Sequence, residues 1–235
     1  MDAGRLMRLE FDNVETRSMI DPRAFVAAVQ PLLQAKDCNG LHALLRNRWA
    51  SREIIDLLRF GDCEARKVAA LALSLVGCRR CLPELARLLK DSDPVTNQMA
   101  EHAMWSIWFR LGSSKANCLL RAGVEAMNQQ RLNEAIGYFS EAITECDEFA
   151  EAWNQRATAH YLLENYSTSI VDARAAVARN PNHFGAWAGL GHCYAHLNRL
   201  DEALEAYERA LEINPSLECL QEAIHQITEL RDGKA

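Results

Sequence analysis

Two histidines stand four residues apart in WAGLGHCYAH (187–196), His192 and His196, with Cys193 between them. On a helix both imidazoles fall on one face, which makes them a candidate metal or catalytic pair. A zinc site needs three or four protein ligands, and Cys193 is turned roughly 100° around the helix from His192. The pair alone therefore closes no metal site and reads better as facing a peptide or solvent. A second constellation is GCRRCLPEL (77–85), where Cys78 and Cys81 form a C-x-x-C ahead of a helix start. A helix N-terminus and two arginines would depress a thiol pKa, as a redox cysteine requires. Against this, no βαβ pattern surrounds the motif, and Cys63 lies about 22 Å away along the preceding helix. Glu202, Glu205, Glu208 and Glu212 run along one helix face with Arg209 among them, the pattern of a solvated surface. Arg46, Arg48, Arg52 and Arg59 have only Trp49 as an interleaved aromatic, so little is offered for base stacking. The sequence holds no P-loop, no dinucleotide fingerprint, no H-E-x-x-H and no G-x-S-x-G. No catalytic residue, cofactor or metal is expected.

What positions these residues is a repeat. LNEAIGYFSEAI (132–143) and LDEALEAYERAL (200–211) are 68 residues apart, with a weaker copy, YSTSIVDARAAV (166–177), midway. AEAWNQRATAHYLLENY (150–166) aligns with FGAWAGLGHCYAHLNRL (184–200), pairing Trp153 with Trp187 and Leu163 with Leu197. Gly123, Ala157 and Gly191 stand opposite Ala142, Ala176 and Ala210, small residues that let two helices approach closely. Pro181 and Pro215 cannot continue a helix and end the second one of each pair. A single hairpin cannot bury its apolar face, so neighbours must stack. SLECLQEAIHQITELRDG (216–233) supplies a cap, with Leu217, Leu220, Ile224, Ile227 and Leu230 in one helical stripe and Gly233 as a stop.

This 34-residue unit resembles the tetratricopeptide repeat. The third copy carries Trp187, Leu190, Gly191, Tyr194, Ala203, Tyr207, Ala210 and Pro215. The second keeps Trp153, Ala157, Tyr166, Ala176 and Pro181 but departs at Arg156, His160, Ser169 and Ala173, which implies looser packing. The first keeps Gly123, Ala135, Phe139 and Ala142, with Asp147 in place of proline. Upstream, LLRFGDCEARKVAALALSLVG (57–77) and LLKDSDPVTNQMAEHAMWSIW (88–108) repeat at a spacing of 31. Asp62 and Asp93 sit at N-cap positions and Pro94 at the first helical position. These units are similar to short HEAT-like repeats, also seen in phycobilin-attaching lyases, and Arg66 falls where that family has arginine. Trp105, Ile107, Trp108 and Phe109 read as the surface that packs on the first tetratricopeptide helix and fuses both arrays into one superhelix.

The expected fold is an all-α solenoid of antiparallel hairpins. It comprises a loose terminus (1–20), HEAT-like repeats (21–112), hairpins at 116–149, 150–183 and 184–217, and a capping helix (218–232). Charge divides near Gly112: residues 1–115 carry 17 Lys and Arg against 14 Asp and Glu, whereas residues 116–235 carry 9 against 18. The acidic half is a poor nucleic-acid ligand and suits a neutral or basic partner. With 8 cysteines, no secretory signal and no run of 18 apolar residues, a reducing cytoplasmic location without membrane contact is expected.

The resemblance implies that the first helix of each pair lines an inner groove for a protein or peptide segment. Its candidate residues are Arg121, Val124 and Asn128, then Asn154, Gln155, Thr158 and Tyr161, then Gly185, Ala188, Gly189, His192 and His196. Asn154 and Gln155 would pair with the partner's backbone. One subclass of the family clamps a chaperone's C-terminal carboxylate with Lys, Asn and Arg. Here those positions hold Leu120, Val124, Gln155, Gly185 and Gly189, so such binding is not expected. The favoured function is a non-enzymatic interaction adaptor. The alternatives are an enzyme or accessory subunit of the HEAT-repeat lyase type, or a thiol-redox protein through Cys78 and Cys81. Oligomeric state is left open.

Overall fold

The computed structural model describes residues 20–231 and Gly233, so the expected loose terminus lies outside the described residues except for Ile20. Among the described residues there are 13 α-helices and no strand. The amino-terminal half holds α1 (Pro22–Gln34), α2 (Cys38–Arg48), α3 (Ser51–Phe60), α4 (Cys63–Val76), α5 (Leu82–Leu88) and α6 (Pro94–Trp108). The carboxy-terminal half holds α7 (Ser114–Asn128), α8 (Leu132–Glu145), α9 (Ala150–Leu162), α10 (Tyr166–Arg179), α11 (Phe184–His196), α12 (Leu200–Ile213) and α13 (Glu218–Arg231).

Local chemistry starts these helices where the sequence expects. The Asp62 carboxylate accepts the Ala65 N–H at 2.9 Å, and Asp93 accepts that of Thr96 at 2.8 Å. Each such cap is worth about 1 kcal/mol. Three tight turns repeat at the period of the sequence: Gln130, Glu164 and Asn198 all adopt positive φ, near 60°. In each turn the following amide reaches back five residues, as Asn165 does to the His160 carbonyl at 2.9 Å, closing the first helix of the pair.

The paired helices α7–α8, α9–α10 and α11–α12 pack face to face. A methyl group on Gly123 would overlap the Phe139 ring, and one on Gly191 would overlap Tyr207. Helix α9 also touches both α7 and α11, whereas α8, α10 and α12 make no comparable contact with one another. First helices crowded together and second helices splayed apart give a curved array with α7, α9 and α11 inside.

The second hairpin was expected to pack loosely, and it does not. Arg156 reaches across to Asp172 with both ends of its guanidinium, at 2.8 and 2.7 Å, and donates to Ser140 at 3.0 Å. Ser169 donates to the Ala157 carbonyl at 2.7 Å and accepts from the Cys193 thiol at 3.2 Å. His160 is packed beside Asp172, 3.9 Å away, and burial lowers its pKa. Arg156 and Ser169, which depart from the repeat pattern, thus find partners within the packed helices.

The junction also differs from expectation. Phe109 and Leu111 join the cluster that includes α7, but Trp105 and Trp108 turn elsewhere. Trp108 stacks on His183 at 4.3 Å, and Trp105 meets Phe184 edge-on at 5.4 Å. Farther along, Asn214 donates to Glu101 at 3.0 Å, and Ile213 joins the amino-terminal core. Helix α6 therefore lies along the loops that connect successive hairpins instead of stacking as one more hairpin. The physical reason is bulk: two indoles need apolar sites, and His183 and Phe184 at the start of α11 supply them. In the cap, Leu230 is 58% exposed, so the apolar stripe is engaged only as far as Ile227.

Candidate functional site

Curvature gathers the inner face from α7, α9 and α11. Of the expected groove residues, Arg121 and Asn128 are exposed and Val124 is half-buried. Arg121 donates to the Cys118 sulfur at 3.1 Å. Ala188 and Gly189 are half-buried, and a side chain on Gly189 would meet nothing within 4 Å. Thr158 turns its hydroxyl back to the Asn154 carbonyl at 3.0 Å.

Asn154 and Gly185 leave the expected groove, and Gln155 is partly engaged within the fold. Asn154 is buried, and Gln155 spends its amide on the Glu151 carboxylate at 2.6 Å. Both amides point toward Glu151, which lies fully buried and must be solvated from within, though Gln155 itself stays half-buried. Gly185 faces the Trp105 indole, so it belongs to the junction.

The histidines form a cluster with tyrosines. The Tyr161 hydroxyl lies 2.9 Å from His196 Nε2, and the Tyr207 hydroxyl lies 2.7 Å from His192 Nδ1. Tyr166 stacks flat on His196, with ring centres 4.5 Å apart. Burial, then the neighbouring His196, lowers the His192 pKa. Burial raises that of Tyr207. Burial therefore favours the uncharged forms of His192 and Tyr207. Sequence reasoning assigned Tyr166 and Tyr207 to repeat packing alone; both also reach the groove histidines from α10 and α12. Cys193 points the other way, into the core, and burial raises its thiol pKa. Among the described residues no three His, Cys, Asp or Glu side chains converge to hold a metal ion.

Cys81 is not the low-pKa thiol that redox chemistry would need. Cys81 is fully buried and accepts the Cys78 N–H at 3.4 Å, and burial pushes its pKa up to about 11. A thiol so placed is almost entirely protonated at neutral pH.

Residues 185–217 match the family model of the tetratricopeptide repeat. The array containing this repeat is also similar to curated proteins. A TPR repeat-containing protein from Rhizobium etli is 28% identical over 148 residues, which span 63% of this chain and 72% of that protein. The small glutamine-rich tetratricopeptide repeat-containing protein 2 of Saccharomyces cerevisiae is 33% identical over 100 residues, but the match spans only 29% of its length. Among solved structures, the first tetratricopeptide domain of Spaghetti, bound to the HSP90 peptide SRMEEVD, superposes with a TM-score of 0.50. That pair is 26% identical, covering 51% of this chain and 95% of the domain. The fold of the carboxy-terminal half is thus a tetratricopeptide solenoid. No helix among the described residues is long and apolar enough to cross a membrane.

Proposed function

We propose that this chain is a non-enzymatic interaction adaptor whose tetratricopeptide groove holds a neutral or basic segment of a partner protein in the cytoplasm. The groove comprises Arg121, Val124, Asn128, Thr158, Tyr161, Ala188, Gly189, His192 and His196. Residues 21–112, read as HEAT-like, offer a second contact surface. The observation that carries the reading is the open face at Gly189 beside the Tyr161–His196 ring cluster. That face belongs to a half of the chain that carries 9 Lys and Arg against 18 Asp and Glu.

The Spaghetti domain holds an acidic chaperone peptide. Of the five positions that would clamp such a carboxylate here, Leu120 is fully buried, Gln155 is bound to Glu151, and none carries a cation. The groove accordingly suits a different segment.

The test is affinity capture from native cell extract with mass spectrometry, comparing wild type with Gly189→Arg. Arginine there projects into open space on the inner face without a backbone clash. The expected result is a partner retained by wild type and lost by the variant. Partners held equally by both would overturn the groove reading. Calorimetry with SRMEEVD should show no binding; micromolar binding would overturn the claim about partner charge.

A further inference from the structure

The junction between the halves forms a cleft of about 200 Å³, open to solvent and lined from both sides. The amino-terminal half contributes Leu82, Met104, Trp108 and Arg79, and the inter-hairpin loops contribute Phe149 and Glu148. None of the groove residues lines it. Most of its lining is apolar, and two of its charged residues are already engaged, Glu151 with His183 and Arg179 with Asp147. Arg79 and Glu148 are exposed, come from opposite halves, and have no ion-pair partner among the described residues. One donor of the lining is also unspent: the Trp108 indole N–H is buried with no acceptor.

Size restricts what fits. Drug-sized ligands occupy pockets of about 300 Å³ or more, whereas an apolar cavity of about 150 Å³ takes a single benzene ring. A volume between these holds one ring or one branched side chain with a small head group. Junctions between rigid units are where such sites concentrate. An unpaired cation and an unpaired anion, one from each half, beside a mostly apolar lining match a small zwitterion with an apolar body.

We propose that the cleft binds a free apolar α-amino acid. The carboxylate faces Arg79, the ammonium faces Glu148, and the side chain rests on Leu82, Met104, Trp108 and Phe149. Because the walls belong to different halves, the ligand bridges them. The site is separate from the tetratricopeptide groove and does not depend on the adaptor reading.

The experiment is calorimetric titration of the full chain with leucine, methionine and phenylalanine. Two analogues accompany them: 3-phenylpropionate, which lacks the ammonium, and phenylalaninamide, which lacks the carboxylate. At least one amino acid is expected to bind, with the analogues of phenylalanine about tenfold weaker than phenylalanine, the loss of one charge contact. Arg79→Ala and Glu148→Ala should each weaken binding about tenfold while leaving the unfolding transition in place, since both side chains are exposed. Gly189→Arg should bind as wild type does. The proposal fails if no amino acid binds at millimolar concentration, if 3-phenylpropionate or phenylalaninamide binds as well as phenylalanine, or if either exposed variant binds undiminished.

Discussion

Arg156 and Asp172 show how a departure from pattern can be structural. Their side chains are 19% and 4% exposed, and the pair bridges α9 and α10. Replacing both with apolar residues of similar volume can be neutral, whereas removing one strands the other charge. Asp172→Ala should therefore cost about 3–5 kcal/mol in urea unfolding; a cost under about 1 kcal/mol would show water already solvates Arg156. Titration gives a second expectation. His160 and His192 have lowered pKa values, burial being the first cause in each. Both resist protonation in the fold but not in the unfolded chain, where the value is about 6.5. Their contribution is fully present above that value and is lost as pH falls through it. The lowered carboxylates Glu84, Asp91 and Asp93 act in a separate window, near and below the ordinary carboxylate range. Unfolding free energy should decline between about pH 7 and pH 5, and His160→Gln plus His192→Gln should flatten that slope. A wild-type slope already flat there would contradict the burial argument.

The hairpin turns and helix pairs were the most legible elements. Small residues at a spacing of 34 identified the helix crossings, and Asp62 and Asp93 marked two helix starts. The side-chain networks were not legible, because no short motif links Arg156 to Asp172 or Glu151 to His183, 16 and 32 residues apart. One signal was available: His183 occupies the place that Phe149 holds one period earlier. A polar residue at an apolar repeat position advertises a buried partner. The amide of Ala186 donates to His183 Nδ1 at 3.1 Å, which leaves the proton on Nε2, 2.8 Å from the Glu151 carboxylate. Two substitutions probe the elements. Glu164→Gly should stabilise by about 0.5–1 kcal/mol, because glycine adopts positive φ without the penalty borne by glutamate. Gly191→Ala should destabilise by about 1–3 kcal/mol through overlap with Tyr207, outweighing a gain of about 1 kcal/mol in helix propensity. Thermal unfolding reads both signs.

For the molecule as a whole, the 34-residue period announced the carboxy-terminal array but not how the amino-terminal half meets it. A period specifies contacts between neighbouring units and is silent on a helix laid across several of them. Trp108→Ala removes a buried ring that touches both halves, at a cost of about 3–5 kcal/mol. Equilibrium unfolding followed by tryptophan fluorescence and by far-ultraviolet dichroism should coincide in wild type and separate in this variant. Coincident curves in both would mean the halves are coupled without that indole.

Helix α6 changes what kind of object the solenoid is. An array joined only through adjacent repeats behaves as a spring: it bends, twists and frays from its ends, one coil at a time. A rod fastened along its loops, from His183 to Asn214, ties coils that are not neighbours in sequence. The Asn214–Glu101 bond alone joins residues 113 apart. Such a brace fixes the pitch of the spring, so the width of the groove is set before any partner arrives, and less conformational entropy is left to lose on binding.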